Sequence, residues 1–185
     1  MSPAALVLLK LIAVVGPLLA AAWLLRVYPE RRLVYLALVP GLLSVGLLGS
    51  AMLFWPLVGL DVVLAGIVLA DLATLPRRST FSVEREAVRV ASLRKRHPVS
   101  LTVSNHSPRG YPVVVRDGVP HGLNPQPSEF SFPIGGRSRT TWEYVLRAGR
   151  RGAFTISRVY VKVGSRLGLR QRLLSYPCET VVHVY

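Results

Sequence analysis

The sequence predicts a membrane-anchored chain in two parts: transmembrane α-helices, three by run length, followed by an immunoglobulin-like antiparallel β-sandwich. Three observations lead there. Hydrophobic residues make up 51% of the 185 residues but crowd the first 75 positions, which are too apolar for an average soluble domain. At Pro76 the pattern changes from unbroken apolar runs to alternation. The alternating segments are short and separated by turn residues, with no amphipathic helix between them. The expected division is a membrane region at 1–75, with helices near 5–25, 33–54 and 57–75, and a β-sandwich domain at 76–185.

The first run, 5–25, is interrupted by Lys10 and Pro17. Ala20-Ala21-Ala22 resembles the small-residue site of a cleavable signal peptide, but the run has no early positive charge before it apart from the amino terminus. It also leads directly into a second spanning run, so an uncleaved helix is expected. Lys10 lies close enough to the outer end for its stem to snorkel to the interface. Pro17 should kink the helix, which is tolerable where neighbours satisfy the freed carbonyl.

The second run, 33–54, carries no charged side chain, and the third, 57–75, only Asp61 and Asp71. At about 1.5 Å per residue each is long enough for a hydrocarbon slab of roughly 30 Å. Trp55-Pro56 reads as the tight corner of a hairpin, with Trp55 in the aromatic belt of the outer interface. Ala37 and Gly41, then Gly46 and Ser50, place small residues at a spacing that lets helices approach closely. Arg26, Arg31 and Arg32 precede the hairpin and Arg77 and Arg78 follow it, while the corner has no cation. Cationic flanks stay on the cytoplasmic side, so everything after Pro76 is expected there, with the amino terminus outside. Asp71 lies about one turn from the cytoplasmic boundary, within reach of water, Arg77 or Arg78. An intramembrane acid is a functional candidate by default, with anchoring or partner pairing as its simpler role; Asp61, near the corner, reads as interfacial.

Beyond Pro76, Phe81-Ser82-Val83-Glu84-Arg85, Val88-Arg89-Val90 and Val99-Ser100-Leu101-Thr102-Val103 alternate as half-buried strands do. Further strands are expected at 111–116, 129–134, 138–146, 153–163 and 180–185, with one helical turn at 167–174. His97-Pro98, the stretch 105–110, Asp117-Gly118 and Gly135-Gly136 supply the breaks.

Charge and motif content restrict the function. The net charge is +14, and of the 23 Lys and Arg only Lys10, Arg26, Arg31 and Arg32 precede Pro76. A basic domain beside a membrane fits anionic headgroups, at roughly 1 kcal/mol per surface cation, or an acidic protein. It shows no basic helix with heptads, no Cys/His finger spacing and no aromatic ribonucleoprotein strand, so no nucleic acid is expected. Cys178 stands alone, which excludes an intrachain disulfide and a thiolate zinc cluster. Ser92-Leu93-Arg94-Lys95 has the S-x-x-K spacing of acyl-transferring serines but none of the companion motifs. His97, His106, His121 and His183 lack paired metal-ligand spacing, and Gly135-Gly136-Arg137-Ser138 lacks the Lys of a phosphate loop. Asn105-His106-Ser107 fits the glycosylation pattern, which carries no weight in a cytoplasmic domain. No catalytic residue, cofactor or metal follows from these patterns.

Several landmarks occur together in order: Pro29-Glu30-Arg31-Arg32, Asp71, Phe81-Ser82-Val83-Glu84-Arg85-Glu86, the strand at 99–105, Arg116-Asp117-Gly118-Val119-Pro120, Arg150-Arg151-Gly152-Ala153-Phe154 and Ser165-Arg166-Leu167-Gly168-Leu169. In that order the chain from Pro29 to Tyr185 resembles the amino-terminal part of the bacterial family called domain of unknown function 58. The resemblance implies a protein of the bacterial inner membrane, multi-pass, whose β-sandwich precedes a von Willebrand factor A-like region. The chain stops at Tyr185, where the family ordinarily continues; either it is a fragment or it lacks that region, which would carry any metal-ion-dependent adhesion site, so no metal is expected here. It also implies a partner, since such proteins are usually encoded beside a MoxR-type AAA+ ATPase. The run at 5–25 and His97-Pro98, where a Gly-rich turn is ordinary, depart from the family. On physical grounds Arg150-Arg151-Gly152 reads as a hairpin turn, with Gly152 free to take positive φ. Leu167-Gly168-Leu169 reads as a plug for one open end of the sandwich.

Two functions follow from different classes. The first is a membrane-anchored interaction or adaptor protein, not an enzyme, serving an ATPase in envelope-protein maturation. The second is a membrane enzyme or transport component using Asp71 or Lys10 within the bilayer. The densest basic cluster in sequence, Arg147, Arg150, Arg151 and Arg158, is the candidate surface for an acidic partner or for membrane lipid. The oligomeric state has no signature in the sequence.

Overall fold

The computed structural model describes residues 27–45 and 51–185, together with Ala5, Leu8, Ile12 and Gly16. Lys10 and the rest of the run at 5–25, Arg26, Gly46 and Ser50 lie outside the described residues. The chain forms two compact units. The first is Met1–Leu75 with Gly164–Arg172, and the second is Pro76–Val163 with Leu173–Tyr185.

In the first unit, strand β1 (Val27–Pro29) pairs antiparallel with the start of β10 (Arg170–Val184), Val27 opposite Arg172 and Pro29 opposite Arg170. Helix α1 (Arg31–Leu43) follows, and α2 (Phe54–Ala73) comes after a short 3-10 turn at Ala51–Leu53. Among the described residues α2 is the one helix long and apolar enough to cross a membrane, so three such helices are not seen. Helix α1 stops well short of the predicted 33–54. Pro40 and Gly41 weaken its ladder, and the Ser44 hydroxyl turns back to donate to the Pro40 carbonyl at 2.6 Å. The predicted corner at Trp55-Pro56 is instead the first turn of α2. Proline suits that position because its missing N–H would have no partner there. Leu33, Val68 and Leu169 are buried together, with Leu36 packed against them.

The second unit is a two-sheet, immunoglobulin-like β-sandwich. One sheet runs β2 (Phe81–Ala87), β4 (Arg96–Asn105), β8 (Arg139–Ala148), β6 (Leu123–Gln126), all antiparallel. The other runs β10, β9 (Gly152–Gly164), β5 (Tyr111–Asp117), β7 (Phe130–Ile134), with the two-residue β3 (Val90–Ala91) added parallel to the end of β10. Alternation supplies the core. Val99, Leu101 and Val103 from β4 meet Val113 and Val115 from β5 and Ile156, Val159 and Val161 from β9 in one buried cluster. In β9 the phase slips at Ser157-Arg158, both exposed, as at a β-bulge.

Two sequence expectations fail here, and one strand was not anticipated. The segment 167–174 contains no helical turn: Gly168 takes φ +68 at a chain reversal, and β10 begins at Arg170. Gly164–Arg172 groups with the helices, where Leu169 is buried with Leu33 and Val68. Arg150-Arg151-Gly152 is not a hairpin turn but the crossing from β8 in one sheet to β9 in the other, although Gly152 does take positive φ, at +141. Strand β6 was not anticipated; its Leu123-Asn124-Pro125-Gln126 carries a single large apolar residue.

Between the sheets lies a charged pair. Arg85 shares the inward face of β2 with Phe81 and Val83, and Asp117 ends the inward series Val113, Val115 of β5. Their side chains are 0% and 3% exposed. The Arg85 Nε donates to Asp117 Oδ2 at 2.8 Å and Nη2 to Asp117 Oδ1, while Nη1 donates to the carbonyls of Ile156 (2.9 Å) and Cys178 (2.6 Å). Nη2 also reaches the Arg158 carbonyl at 3.5 Å, so the two carbonyls beside the β9 slip serve the guanidinium. Tyr144 donates its hydroxyl to Asp117 Oδ2. Burial, and then the Asp117 charge, push the Tyr144 phenol far above its ordinary pKa.

Breaking such a pair on one side strands a buried charge, at a cost of about 3–5 kcal/mol, whereas replacing the whole group by apolar residues is often near neutral. Arg85→Met should therefore unfold far more readily than the native chain, and Arg85→Met/Asp117→Leu/Tyr144→Phe should recover most of the loss. Chemical denaturation of the solubilised chain, followed by tryptophan fluorescence, measures both.

Candidate functional site

Asp71, the charge singled out in the third apolar run, is 1% exposed two residues before the end of α2. It does not turn to Arg77 or Arg78. Its Oδ2 accepts the Ser165 hydroxyl at 2.5 Å, and its Oδ1 accepts the Leu167 backbone N–H at 2.9 Å. The Ser165 oxygen in turn accepts the Arg170 N–H at 3.1 Å, and Gly168 N–H closes the turn on the Ser165 carbonyl at 3.1 Å. Thr74, next to the helix end, accepts Arg166 N–H at its hydroxyl (3.1 Å) while donating that hydroxyl to the Asp71 carbonyl (2.6 Å). A carboxylate and a hydroxyl at the end of one helix thus satisfy two amides and a hydroxyl of the 165–170 turn.

The start of α1 grips the same turn. Glu30 donates its N–H to the Leu169 carbonyl at 2.9 Å and accepts the Gln171 amide on its side chain. Gly168 lies under Arg32, where an added Cβ would come within 3.3 Å of the guanidinium and its φ would strain any other residue. Arg170 is 4% exposed, and its Nε has no hydrogen-bond partner among the described residues. Burial lowers its pKa from the ordinary arginine value, and the Asp71 charge opposes that shift. Arg78 instead stacks its guanidinium over the Tyr176 ring at 5.9 Å, and burial pushes the Tyr176 phenol up to about 12.

The sequence cluster Arg147, Arg150, Arg151 and Arg158 is only partly brought together. Arg147 is in β8, Arg150 and Arg151 are in the crossing that follows, and Arg158 is in β9 of the other sheet. Arg147 instead has Arg96 of β4 directly opposite. The preceding turn is tied to the same place, since Arg94, at φ 60, donates its N–H to the Ala148 carbonyl at 3.0 Å. Arg94, Lys95 and Arg96 were missed because only the strand register makes them neighbours of Arg147.

The other residues weighed in the sequence have ordinary surroundings. Ser92 and His97 hydrogen-bond through the Ser92 backbone at 2.9 Å, and His106 meets the Ser82 hydroxyl at 3.0 Å with both groups near solvent. Cys178 is half-buried. Among the described residues no three His, Cys, Asp or Glu side chains converge as metal ligands.

No protein-family model matches the chain, and no curated protein matches it in sequence. Among solved structures it is similar to the CARDB domain of the PF1109 protein of Pyrococcus furiosus, determined in complex with di-metal ions, at TM-score 0.38 and 13% identity over 57% of this chain and 87% of that one. It is similar to a FixG-related protein from Vibrio parahaemolyticus at TM-score 0.40 and 8% identity, over 57% and 96%. A third likeness is to the cupredoxin domain of amoB from Nitrosocaldus yellowstonii, at TM-score 0.37 and 8% identity, over 57% and 86%.

Charged hydrogen bonds of this kind contribute about 1.5–3 kcal/mol each. Asp71→Ala should speed hydrogen exchange at the Leu167 amide by at least about tenfold and leave the amides of Val113 and Val161 unchanged. Exchange measured by mass spectrometry on the solubilised chain checks this, with Asp71→Asn expected to fall between.

Proposed function

We propose that this chain is a membrane-anchored interaction protein whose sandwich serves as a docking module, with a MoxR-type AAA+ ATPase as partner in envelope-protein maturation at the bacterial inner membrane. The observation that carries the anchoring is the outward face of α2. Val62, Val63 and Leu69 are 66%, 60% and 64% exposed, and Trp55 at its start is 78% exposed. Apolar surface of that extent is costly in water and at home in hydrocarbon. The partner rests on the ordered landmarks from Pro29 to Ser165-Arg166-Leu167-Gly168-Leu169 and on a domain built of strand edges and loops, the usual docking surfaces.

The alternative, a membrane enzyme or transport component acting through Asp71 or Lys10, needs an acid open to a proton or a substrate. Both Asp71 oxygens are engaged by Ser165 and Leu167, which favours an anchoring role for it. Lys10 lies outside the described residues.

The test is co-purification of the detergent-solubilised chain with a MoxR-type ATPase in ATP, ADP and nucleotide-free conditions. Retention that depends on nucleotide is expected. An ATPase that is never retained in any of the three would remove the adaptor reading.

A further inference from the structure

The first turn of α1 carries Arg31 and Arg32 and no acid, and the side chain of its N-cap residue, Glu30, makes no capping hydrogen bond. Cations placed there add to the positive end of the helix dipole instead of opposing it. Strand pairing brings another cation to the same place. Arg170 stands directly opposite Pro29, and residues paired in this way project on one side of the ladder. The Glu30 N–H is held by the Leu169 carbonyl, and the Arg32 guanidinium lies over Gly168, so the helix start and the 165–170 turn are in contact.

These cations are short of acceptors. Arg170 is 4% exposed, and its Nε has no hydrogen-bond partner among the described residues. The two acids of this region are committed elsewhere, Glu30 to the Gln171 amide and Asp71 to the Ser165 hydroxyl and the Leu167 N–H. A buried guanidinium with an unfilled donor is costly, and an acceptor brought from outside removes that cost.

The surroundings indicate which acceptor. Leu33, Val68 and Leu169 are buried together, which puts the start of α1 and the end of α2 at one level. Along the helices from that level the surface is apolar, with Tyr35, Leu38 and Leu69 exposed. At the level itself the exposed side chains are Arg31, Arg32 and, in the turn, Arg166. Apolar helix surface that ends in an exposed tyrosine and a group of arginines has the profile of a bilayer interface, where the anion at hand is a lipid phosphate. We propose that Arg32 and Arg170, flanked by Arg31 and Arg166, bind the phosphate of an anionic phospholipid headgroup. This rests on the membrane-anchored reading above. Arginine suits the task because its planar fork offers paired N–H donors to phosphate oxygens. The lipid supplies the acceptor that Arg170 lacks and ties the 165–170 turn to the start of α1.

The detergent-solubilised full chain is titrated with short-chain phosphatidylglycerol or with short-chain phosphatidylcholine, whose choline offsets its phosphate, and bound lipid is counted by native mass spectrometry. Phosphatidylglycerol should bind at least about tenfold more tightly, and inorganic phosphate at equal concentration should not displace it. Arg32→Gln and Arg170→Gln should each weaken binding at least about tenfold, as expected for loss of a hydrogen bond to a charged group. Arg32 is exposed, so its variant decides the matter should Arg170→Gln fail to fold; unchanged exchange at the Leu167 amide verifies the turn. Arg96→Gln, in β4 of the sandwich, should bind as the native chain does. Equal binding of the two lipids, displacement by inorganic phosphate, native binding by Arg32→Gln, or an equal loss in Arg96→Gln overturns the proposal. Alkaline extraction of membranes scores the anchor separately. A chain that resists extraction but shows no preference for phosphatidylglycerol loses this site alone, whereas an extractable chain that keeps the preference retains the site and loses the anchored reading.

Discussion

Helix α2 turns Trp55, Val62, Val63, Ile67 and Leu69 outward, and that exposed apolar surface conditions everything else proposed for this chain. A helix apolar on all sides needs an apolar medium. If that medium is lipid, polar groups near the helix ends need partners, and those at the carboxy-terminal end of α2 have them. At the end of α2 the Asp71 carboxylate, deeply buried, meets a hydroxyl and an amide, and Thr74 meets another amide. The charge that looked expensive within an apolar run is the group that holds the 165–170 turn.

The second unit solves a similar problem. Arg85 and Asp117 are removed from water between two sheets, and every donor of the guanidinium finds an acceptor, among them the carbonyls of Ile156 and Arg158 beside the slip in β9. Buried pairs of this kind add little net stability over an apolar core. Their effect is on uniqueness: a one-residue slip of β2 against β4 would turn Arg85 to solvent and leave Asp117 and Tyr144 without their cation.

Much of this was legible in the sequence, because periodicity reports which side of a strand is buried. The strands at 99–103, 111–116 and 153–163 declared themselves by alternating valines. Arg85 could have been found the same way, since it continues the series Phe81, Val83 that faces the core, and Asp117 continues Val113, Val115. What alternation cannot give is partnership across long separations. Pro29-Glu30-Arg31-Arg32 and Leu167-Gly168-Leu169 stood out as separate landmarks, and only the fold makes Glu30 the partner of Leu169 and Gln171, and Arg32 the neighbour of Gly168. The basic cluster is divided for a related reason: proximity along the chain grouped Arg158 with Arg147, whereas strand register puts Arg96 opposite Arg147. Local propensity misled at 167–174, where leucines and a glycine resemble a helical turn but the hairpin ladder of β9 and β10 prevails.

The central claim, that α2 anchors the chain and leaves the sandwich on the cytoplasmic side, is tested most directly by reporters fused in turn after Tyr185 in living bacteria. A fluorescent protein that matures only in the cytoplasm should glow, and alkaline phosphatase, which folds only beyond the inner membrane, should be silent. Active phosphatase with a dark fluorescent fusion would place the sandwich outside the cytoplasm and contradict the proposal.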